Sequence, residues 1–273
     1  MLTAGLKWMN NNYVLKKIWG RLGPIFFPQR CPVCDDLLAP EEVKKGIHEV
    51  CKKKLHIVQG STCMHCGRPL TNASEEYCLE CQRKKYVAAR NPAKSAQTPC
   101  LQSKSYITQG KALYLYRGAI KKAMYRFKYS NRREYADYFA REAIRIYGSW
   151  LQQRNIDVIV PVPMYKGKKR KRGYNQAEVF ARALSDYSNI PINAGMVHRI
   201  KNTVPQKELN DIERKNNLKN AFQIEKNIVQ YRHVLVVDDI YTTGSTAEAV
   251  AEEMIKIGVS QVYAFSICIG KDM

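Results

Sequence analysis

A run of apolar, acidic and hydroxyl-bearing residues occupies positions 234–247 and reads VLVVDDIYTTGSTA. Its first four residues predict a buried strand, and its last residues predict a turn that opens a helix. In open α/β sheets, ligands bind at the carboxyl ends of the strands, and a helix N-terminus binds phosphate through its backbone N–H groups. Gly244 lets the backbone approach such an anion because it has no Cβ. The hydroxyl donors beside it are Thr242, Thr243, Ser245 and Thr246.

Two carboxylates, Asp238 and Asp239, stand between the predicted strand and the hydroxyl-rich turn. A carboxylate repels phosphate, so its natural partners here are vicinal sugar hydroxyls or a magnesium ion. Two acids that end a buried strand are costly unless they bind something. The segment therefore predicts a site for a ribose 5-phosphate, with Asp238 and Asp239 as its ribose-binding and catalytic residues. The Gly-Lys-Ser/Thr ending of a Walker loop is missing.

Seven of the nine cysteines lie between residues 31 and 81, and with one histidine they form four pairs, each with two residues between its members. Such a pair places two ligands on one turn, at the spacing that tetrahedral zinc needs. Two pairs fill one site, so the pattern predicts two structural zinc ions with complete ligand sets. Disulfides are the alternative, but a cytosolic chain keeps its thiols reduced. The ligand pairs are Cys31 with Cys34, His48 with Cys51, Cys63 with Cys66, and Cys78 with Cys81.

Two arrangements of these pairs are open. A sequential arrangement gives one site of three thiolates and an imidazole and a second site of four thiolates. A cross-braced arrangement joins the first pair to the third and the second to the fourth. The assignment of His48 depends on its completing a set of four ligands. We expect His65 to be a bystander and Cys268 to be a small core residue.

The charge of the 273-residue chain is strongly unbalanced, with 45 Lys and Arg against 24 Asp and Glu and a net charge of +21. Such a balance favours a polyanionic partner, usually nucleic acid; a basic protein without such a partner is the alternative. No apolar run approaches the roughly 18 residues that span a bilayer, and residues 1–28 lack a signal-peptide core. We therefore expect a cytosolic protein with no transmembrane segment, and Met9 is a second candidate for its start.

The chain divides by composition into four segments. They are a basic N-terminal extension (1–30), a cysteine-rich zinc module (31–85), a linker (86–110) and an α/β domain (111–273). Strand and helix patterns alternate in the last segment, which predicts a sheet flanked by helices. The predicted strands are 112–116, 156–160, 234–237 and 262–269, and the predicted helices are 118–129, 132–152, 175–187 and 245–258.

A second motif spans residues 160–182 and reads VPVPMYKGKKRKRGYNQAEVFAR. A strand ends in Pro-Val-Pro, six of the seven residues from Lys166 to Arg172 are basic, and Arg-Gly-Tyr-Asn-Gln then opens a helix. Several positive charges before a helix N-terminus suit a multiply charged anion such as pyrophosphate. A solvated basic turn is the alternative for the lysine run.

These motifs resemble those of known proteins. The strand with two acids and TTGST resembles the 5-phosphoribosyl-1-pyrophosphate (PRPP) loop of type I phosphoribosyltransferases. Together with Pro-Val-Pro, RGYNQA and the N-terminal cysteine module, it is similar to the ComF family, late competence proteins of naturally transformable bacteria. Residues 205–222 match the Q…L…R…N…AF segment of that family, and residues 127–129 its lysine-bearing helix end. The likeness covers about residues 28–270 and departs at His48 and Cys51, where the family usually has a cysteine pair.

The resemblance implies a type I phosphoribosyltransferase fold, an open and mostly parallel sheet with flanking helices, preceded by a small N-terminal zinc-finger module. It implies that Asp238 and Asp239 hold the ribose hydroxyls, that residues 242–246 cradle the 5-phosphate, and that Mg²⁺ accompanies PRPP. The loop after the Pro-Val-Pro strand, with Arg172 and Gly173, would receive pyrophosphate, and residues 205–220 would form a mobile flap. Enzymatic turnover is not implied.

Three functions remain in competition. The first is a cytosolic factor of DNA uptake that binds PRPP and single-stranded DNA. Aromatic and basic residues between 125 and 133 could stack on bases, although an amphipathic helix with its apolar face in the core explains most of them. The second is a metabolic phosphoribosyltransferase that acts on a nucleobase or amine. The third is a module that docks a competence DNA translocase similar to ComFA and keeps a vestigial sugar-phosphate site.

Overall fold

The computed structural model describes residues 28–83, 105–201, 218, 220–225 and 231–270. The predicted N-terminal extension as far as residue 27, most of the predicted linker with Cys100, and most of the predicted flap lie outside these residues. Among the helices that the structure does describe, none is both long and apolar enough to cross a membrane.

Four strands form one parallel sheet, and two short strands pair antiparallel beside it. The strands are β1 (Ile107–Leu115), β2 (Val158–Pro161), β3 (Val197–Arg199), β4 (Phe222–Ile224), β5 (His233–Tyr241) and β6 (Gln261–Ile269). The helices are α1 (Pro40–Val43), α2 (Glu49–Lys52), α3 (Ala119–Tyr129), α4 (Tyr135–Gln153), α5 (Lys166–Arg172), α6 (Gln176–Ser188) and α7 (Ser245–Lys256). The order across the parallel sheet is β1-β6-β5-β2.

Helices cover both faces of the parallel sheet, which explains why its central strands are apolar at successive positions. In β5, Leu235 and Val237 pack on the face that carries α3, α4 and α6. The intervening Val234 and Val236 pack on the opposite face, against α7. The predicted fold class is therefore confirmed: an open parallel sheet with flanking helices follows an N-terminal metal-binding module.

The chain leaves the neighbouring strands β2 and β5 toward opposite faces of the sheet. After β2 it continues into α5 and α6, and after β5 it continues into α7. Adjacent parallel strands with connections on opposite faces leave a crevice at their carboxyl ends, and ligands bind there. The fold thus brings residues 162–176 and 238–246 to one crevice.

Three differences from the sequence prediction concern the parallel sheet and the segment after β2. β1 begins at Ile107, inside the segment assigned to the linker, because residues 107–111 pair with β6. β5 continues beyond the predicted Val237, through both acids to Tyr241, because its pairing with β6 continues to Ile269. The predicted loop 166–172 is the helix α5, which ends at Gly173 in the left-handed conformation (φ 87°). The domain boundaries themselves stay a prediction.

The metal-binding module covers the outer edge of β1. Ile57 and Tyr114 form an antiparallel bridge, the N–H of Val58 donates to the carbonyl of Leu113 (2.8 Å), and the N–H of Leu115 donates to the carbonyl of His56 (2.8 Å). An edge strand left open offers unpaired backbone groups to other chains. The module therefore protects the sheet as well as binding metal.

Candidate functional site: two metal clusters and a cleft at the end of β5

The first metal cluster comprises Cys31, Cys34, His48 and Cys51, whose ligand atoms all lie within 4.8 Å of one another. Three thiolates and one imidazole suit tetrahedral zinc. Nδ1 of His48 faces the cluster, 3.2 Å from Sγ of Cys34, and Nε2 donates to the carbonyl of Leu37 (3.2 Å). A bond of this kind from the second ring nitrogen orients a metal-ligating histidine.

The second metal cluster comprises Cys63, Cys66, Cys78 and Cys81, again with all four ligand atoms within 4.8 Å of one another. The structure thus groups the ligands in the sequential arrangement rather than the cross-braced one. His65 points away from the cluster, since its Nε2 lies 3.1 Å from Oγ of Ser105 and 3.4 Å from a carboxylate oxygen of Glu248. Cys268 is fully buried in the core.

The carboxylates of Asp238 and Asp239 lie at the carboxyl end of β5 in different electrostatic surroundings. Oδ2 of Asp239 pairs with Nζ of Lys128 at 2.8 Å. Burial, and then the negative charge of Asp239, raise the pKa of Asp238 to about 7. Burial opposes the charge of Lys128, but the two carboxylates outweigh it and hold the pKa of Lys128 above its usual value. One carboxylate is thus already paired, while the other changes its charge near neutral pH.

The loop between β5 and α7 has the geometry of an anion cradle. Gly244 precedes α7 with φ 78°, and a Cβ at this position would lie 2.1 Å from the hydroxyl of Tyr241. Only glycine fits there, because both the conformation and the contact exclude a side chain. The hydroxyls of Thr243 and Ser245 lie 2.8 Å apart, and Thr242 and Thr246 line the adjoining cleft.

The Arg-Gly-Tyr-Asn-Gln motif connects α6 to the end of α3. The hydroxyl of Tyr174 donates to the carbonyl of Phe127, and Nε2 of Gln176 donates to the carbonyl of Lys128 (3.4 Å). Asn175 caps α6 by accepting from the N–H of Ala177 (3.2 Å). The motif therefore positions the end of α3, where Lys128 pairs with Asp239.

Three cations lie close enough to interact electrostatically beside the carboxylates, and one of them, Arg172, lines the cleft. Burial, and then the charges of Arg199 and Arg172, lower the pKa of Lys168. Burial also lowers the pKa of Arg199, and Asp238 opposes that effect. Like charges that are partly desolvated together favour an anion among them. Arg172 donates to Oε1 of Gln176 (2.8 Å), which fixes its direction.

The cleft itself has a volume of about 350 Å³. Its walls come from α3, from the Pro-Val-Pro segment with α5 and α6, and from the end of β5. Five of the sequence-predicted residues line it, whereas Thr243, Gly244, Ser245 and Gly173 shape its loops without lining it. The lining residues used below are Tyr125, Lys128, Tyr129, Arg172, Asp238, Asp239, Thr242 and Thr246.

Comparison with known proteins identifies the family. Competence protein F from Haemophilus influenzae is 30% identical over 222 residues, which cover 80% of this chain and 94% of that protein. The chain belongs to the competence protein F family. DNA utilization protein YhgH from Escherichia coli K12 is 29% identical over 233 residues, 82% of this chain and 96% of that protein. Competence protein ComFC from Bacillus subtilis is 24% identical over 233 residues, 85% and 86% of the two chains.

The double zinc ribbon domain matches residues 23–82, a range that contains both metal clusters. The donor sets and this match together support two structural zinc sites. The first cluster, with His48 among its ligands, keeps four competent donors.

The sequence prediction did not include Lys128, which lines the cleft, or Arg199, which interacts with Asp238, among the site residues. Lys128 was noted only as part of a lysine-bearing helix end, and its position at the end of an amphipathic helix was the available signal. Arg199 had no local signal, because its electrostatic contact with Asp238 joins residues that are far apart in the chain.

Proposed function

We propose that this family member binds PRPP or a related ribose 5-phosphate together with Mg²⁺, binds single-stranded DNA, and acts in DNA uptake in the cytoplasm. The observation that carries the proposal is the cleft, where two carboxylates directly precede a glycine-centred loop and Arg172 lines the same cavity, with Lys168 and Arg199 near enough to interact with Arg172 and Asp238. Carboxylates accept hydrogen bonds from sugar hydroxyls, and the loop with the N-terminus of α7 suits a phosphate.

The parts of PRPP have separate places in this arrangement. Asp238 and Asp239 would accept from the ribose hydroxyls, and residues 242–246 would hold the 5-phosphate. The pyrophosphate would lie toward Lys168, Arg172 and Arg199, and Mg²⁺ would neutralise part of its charge. Lys128 would keep Asp239 ionised and in place.

The role in DNA uptake is supported by the relatives, which are named as competence and DNA utilization proteins. The net charge of +21 supports a polyanionic partner. A competence DNA translocase similar to ComFA is the protein partner that fits such a role.

Calorimetric titration of the zinc-loaded protein with PRPP and Mg²⁺ tests the sugar-phosphate site. We expect saturable binding that Asp238→Asn/Asp239→Asn abolishes. Asp186→Asn, which changes an exposed acid on α6, is the matched control and should bind like the wild type. Absence of saturable binding to the wild type would overturn this part of the proposal.

Salt dependence tests the DNA part. Arg170 and Lys171 are exposed on α5, at the rim of the cleft. Changing both to alanine should reduce the slope of log affinity for an oligothymidylate against log salt by about 0.7 for each lost phosphate contact. Lys53→Ala/Lys54→Ala, at two exposed lysines of the metal-binding module, is the control. A reduced slope in the control alone would move the DNA contact to that module.

Phosphoribosyl transfer is the second candidate, and the three cations beside the carboxylates favour it. In this reaction the bond from C1 of ribose to the pyrophosphate oxygen breaks while a nitrogen of the acceptor bonds to C1 and releases its proton to water. The pyrophosphate leaves with the bonding electrons, and cations stabilise the charge that develops on it. Pyrophosphate release measured across nucleobases tests it, with Asp238→Asn/Asp239→Asn as the inactive control. Release with no acceptor above that control would leave binding as the function.

A further inference from the structure

Two tyrosines on the amphipathic helix α3 are exposed, outside the apolar face that packs into the core. Tyr125 is 64% exposed and Tyr129 is 60% exposed, whereas Phe127 between them is fully buried. The two exposed rings are one helical turn apart, with centroids separated by 5.0 Å and planes tilted by 47°. The core therefore accounts for Phe127 and leaves the tyrosine pair without a packing role.

A cation holds this pair in place. The guanidinium carbon of Arg172 lies 4.7 Å from the ring centroid of Tyr129, and Nη2 of Arg172 lies 3.2 Å from its hydroxyl oxygen. The side chain of Arg172 is itself bonded to Gln176. Guanidinium and aromatic rings attract each other in this geometry, so Arg172 orients Tyr129, against which the ring of Tyr125 packs.

The tyrosine pair opens onto the proposed sugar-phosphate site. Tyr125 and Tyr129 line the same cleft as Asp238, Asp239 and Thr242. Lys121 and Lys128 line it as well, and the exposed basic helix α5 stands at its rim. An aromatic surface flanked by positive charges is the arrangement that binds single-stranded nucleic acid, because bases stack on the rings and phosphates meet the cations.

We propose that Tyr125 and Tyr129 form a stacking surface for the bases of single-stranded DNA at the mouth of the cleft. This inference rests on the proposed DNA-binding function and assigns its base-contacting residues. The other aromatic and basic residues of the segment have different roles. Arg126 donates to the carbonyl of Val33 (2.8 Å), Arg132 pairs with Asp35 (2.8 Å), and Lys128 pairs with Asp239.

The test compares two fluorescently labelled strands of equal length, an oligothymidylate and an abasic deoxyribose-phosphate strand, by fluorescence polarisation. The wild type should prefer the strand with bases. Tyr125→Ala/Tyr129→Ala should lose that preference, with affinity for the oligothymidylate falling roughly five- to hundredfold for each lost stacked base. Affinity for the abasic strand should stay within about twofold, because phosphate contacts supply it.

Three variants separate stacking from other causes. Tyr125→Phe/Tyr129→Phe keeps the rings and should keep the preference for bases. Tyr187→Ala removes a 41% exposed tyrosine from α6, outside the cleft lining, and should also keep it. Arg170→Ala/Lys171→Ala should lower the affinity for both strands by the same factor. Zinc content and melting temperature establish that each variant is folded.

Two results would overturn the inference. One is a wild type that binds both strands equally well, which would show that bases do not stack on the tyrosine pair while leaving the proposed DNA binding in place. The other is a Tyr125→Ala/Tyr129→Ala protein that is folded and keeps its preference for bases. A wild type that binds neither strand would instead overturn the proposed DNA function from which the inference starts.

Discussion

The two metal clusters hold ligand sets of the same size, yet they are built into opposite faces of the sheet. The first cluster packs into the core with α3, α4 and α6. Beside it, Asp35 pairs with Arg132 (2.8 Å) and accepts from the hydroxyl of Tyr135 (2.5 Å). Arg126 of α3 donates to the carbonyl of Val33, inside the first Cys-x-x-Cys turn. This cluster therefore supports α3, the helix whose Tyr125 and Tyr129 form the aromatic wall of the cleft.

The second cluster packs into the core on the α7 face, and Arg68 beside it contacts the loop proposed to hold phosphate. Nη2 of Arg68, two residues after Cys66, donates to the carbonyl of Thr242 (2.9 Å). A Cβ on Gly67 would lie 2.4 Å from the carbonyl oxygen of Gly110, so the turn meets β1 backbone to backbone. Glu248 of α7 lies 3.4 Å from His65 and accepts from the N–H of Tyr106 (2.9 Å).

The two clusters therefore differ in which part of the cleft they support. Beside the second cluster, Arg68 donates to the loop proposed to hold phosphate, and the turn at Gly67 packs against β1. The first cluster contacts α3, whose end carries the tyrosine pair and Lys128. Loss of the second cluster should therefore act on sugar-phosphate binding, and loss of the first should act on the aromatic wall and on stability.

The largest effect is expected from Asp238→Asn, which removes one carboxylate from the cleft and leaves both metal clusters intact. PRPP affinity should fall roughly a hundredfold, the scale of losing hydrogen bonds to a charged group, while the protein keeps two zinc ions. Calorimetry and atomic emission measure the two quantities. Loss of zinc in this variant would mean that the cleft supports the clusters rather than the reverse.

The same variant should be more stable than the wild type at pH 8. Asp238 faces Asp239, Lys128 and Arg199, and its pKa of about 7 in the fold exceeds the unfolded value of about 3.9. The folded state therefore binds the proton more tightly, and stability falls as pH rises from about 4 to 7. Asparagine removes this penalty, a gain on the order of 1–3 kcal/mol. Urea unfolding measures it, and the gain should vanish below about pH 4.

Cys66→Ser and Cys34→Ser compare the clusters directly. Each should lower the zinc content from two ions to one, because a cluster of three donors loses its complete ligand set. PRPP affinity should fall about tenfold or more in Cys66→Ser only, since the turn before Arg68 depends on that metal. Preference for strands with bases should fall in Cys34→Ser only. Equal losses in both variants would contradict the comparison.

Arg68→Ala and Arg126→Ala repeat the comparison with both metals kept. Arg68→Ala should weaken PRPP binding about five- to tenfold, because the Thr242 carbonyl loses a hydrogen bond from a charged donor, worth roughly 1.5–3 kcal/mol, of which only part would reach the bound phosphate. Arg68→Lys should restore part of it. Arg126→Ala should leave PRPP affinity within about twofold. A stronger effect from Arg126 would show that the α3 wall controls the phosphate site.

The smallest effect is expected from Asp35→Asn. Burial alone would raise the pKa of Asp35, but hydrogen bonds from Arg132 and Tyr135 outweigh it and hold the pKa below its usual value. The ion pair therefore contributes stability above pH 4, which is lost as pH falls through the lowered pKa. The free energy of unfolding of the variant should fall by about 1 kcal/mol at neutral pH and stay unchanged at low pH, and its PRPP affinity should equal that of the wild type. Asp36→Asn, at an exposed neighbour, should lose nothing.

Local patterns in the sequence were enough for much of this structure. The strand 234–237 with its two acids, glycine and following helix is one continuous stretch, so its geometry depends on neighbours in the chain. The spacing of the cysteine pairs likewise indicated two metal clusters. The same reasoning missed α5, because a run of lysines and arginines has no apolar face by which to recognise a helix.

Residue types and short spacings thus determined a sheet flanked by helices, the carboxylates at the end of one strand and the eight metal ligands, whereas the structure decided how those ligands divide between the two clusters. Tertiary structure alone decided which residues complete the cleft. Lys128 pairs with Asp239 from a helix more than a hundred residues away, and Arg68 donates to Thr242 across 174 positions of the chain. Tyr125 and Phe127 differ in burial although both are aromatic. Contacts between distant segments leave no periodic signal in a sequence, because they depend on how helices and strands pack rather than on their local composition.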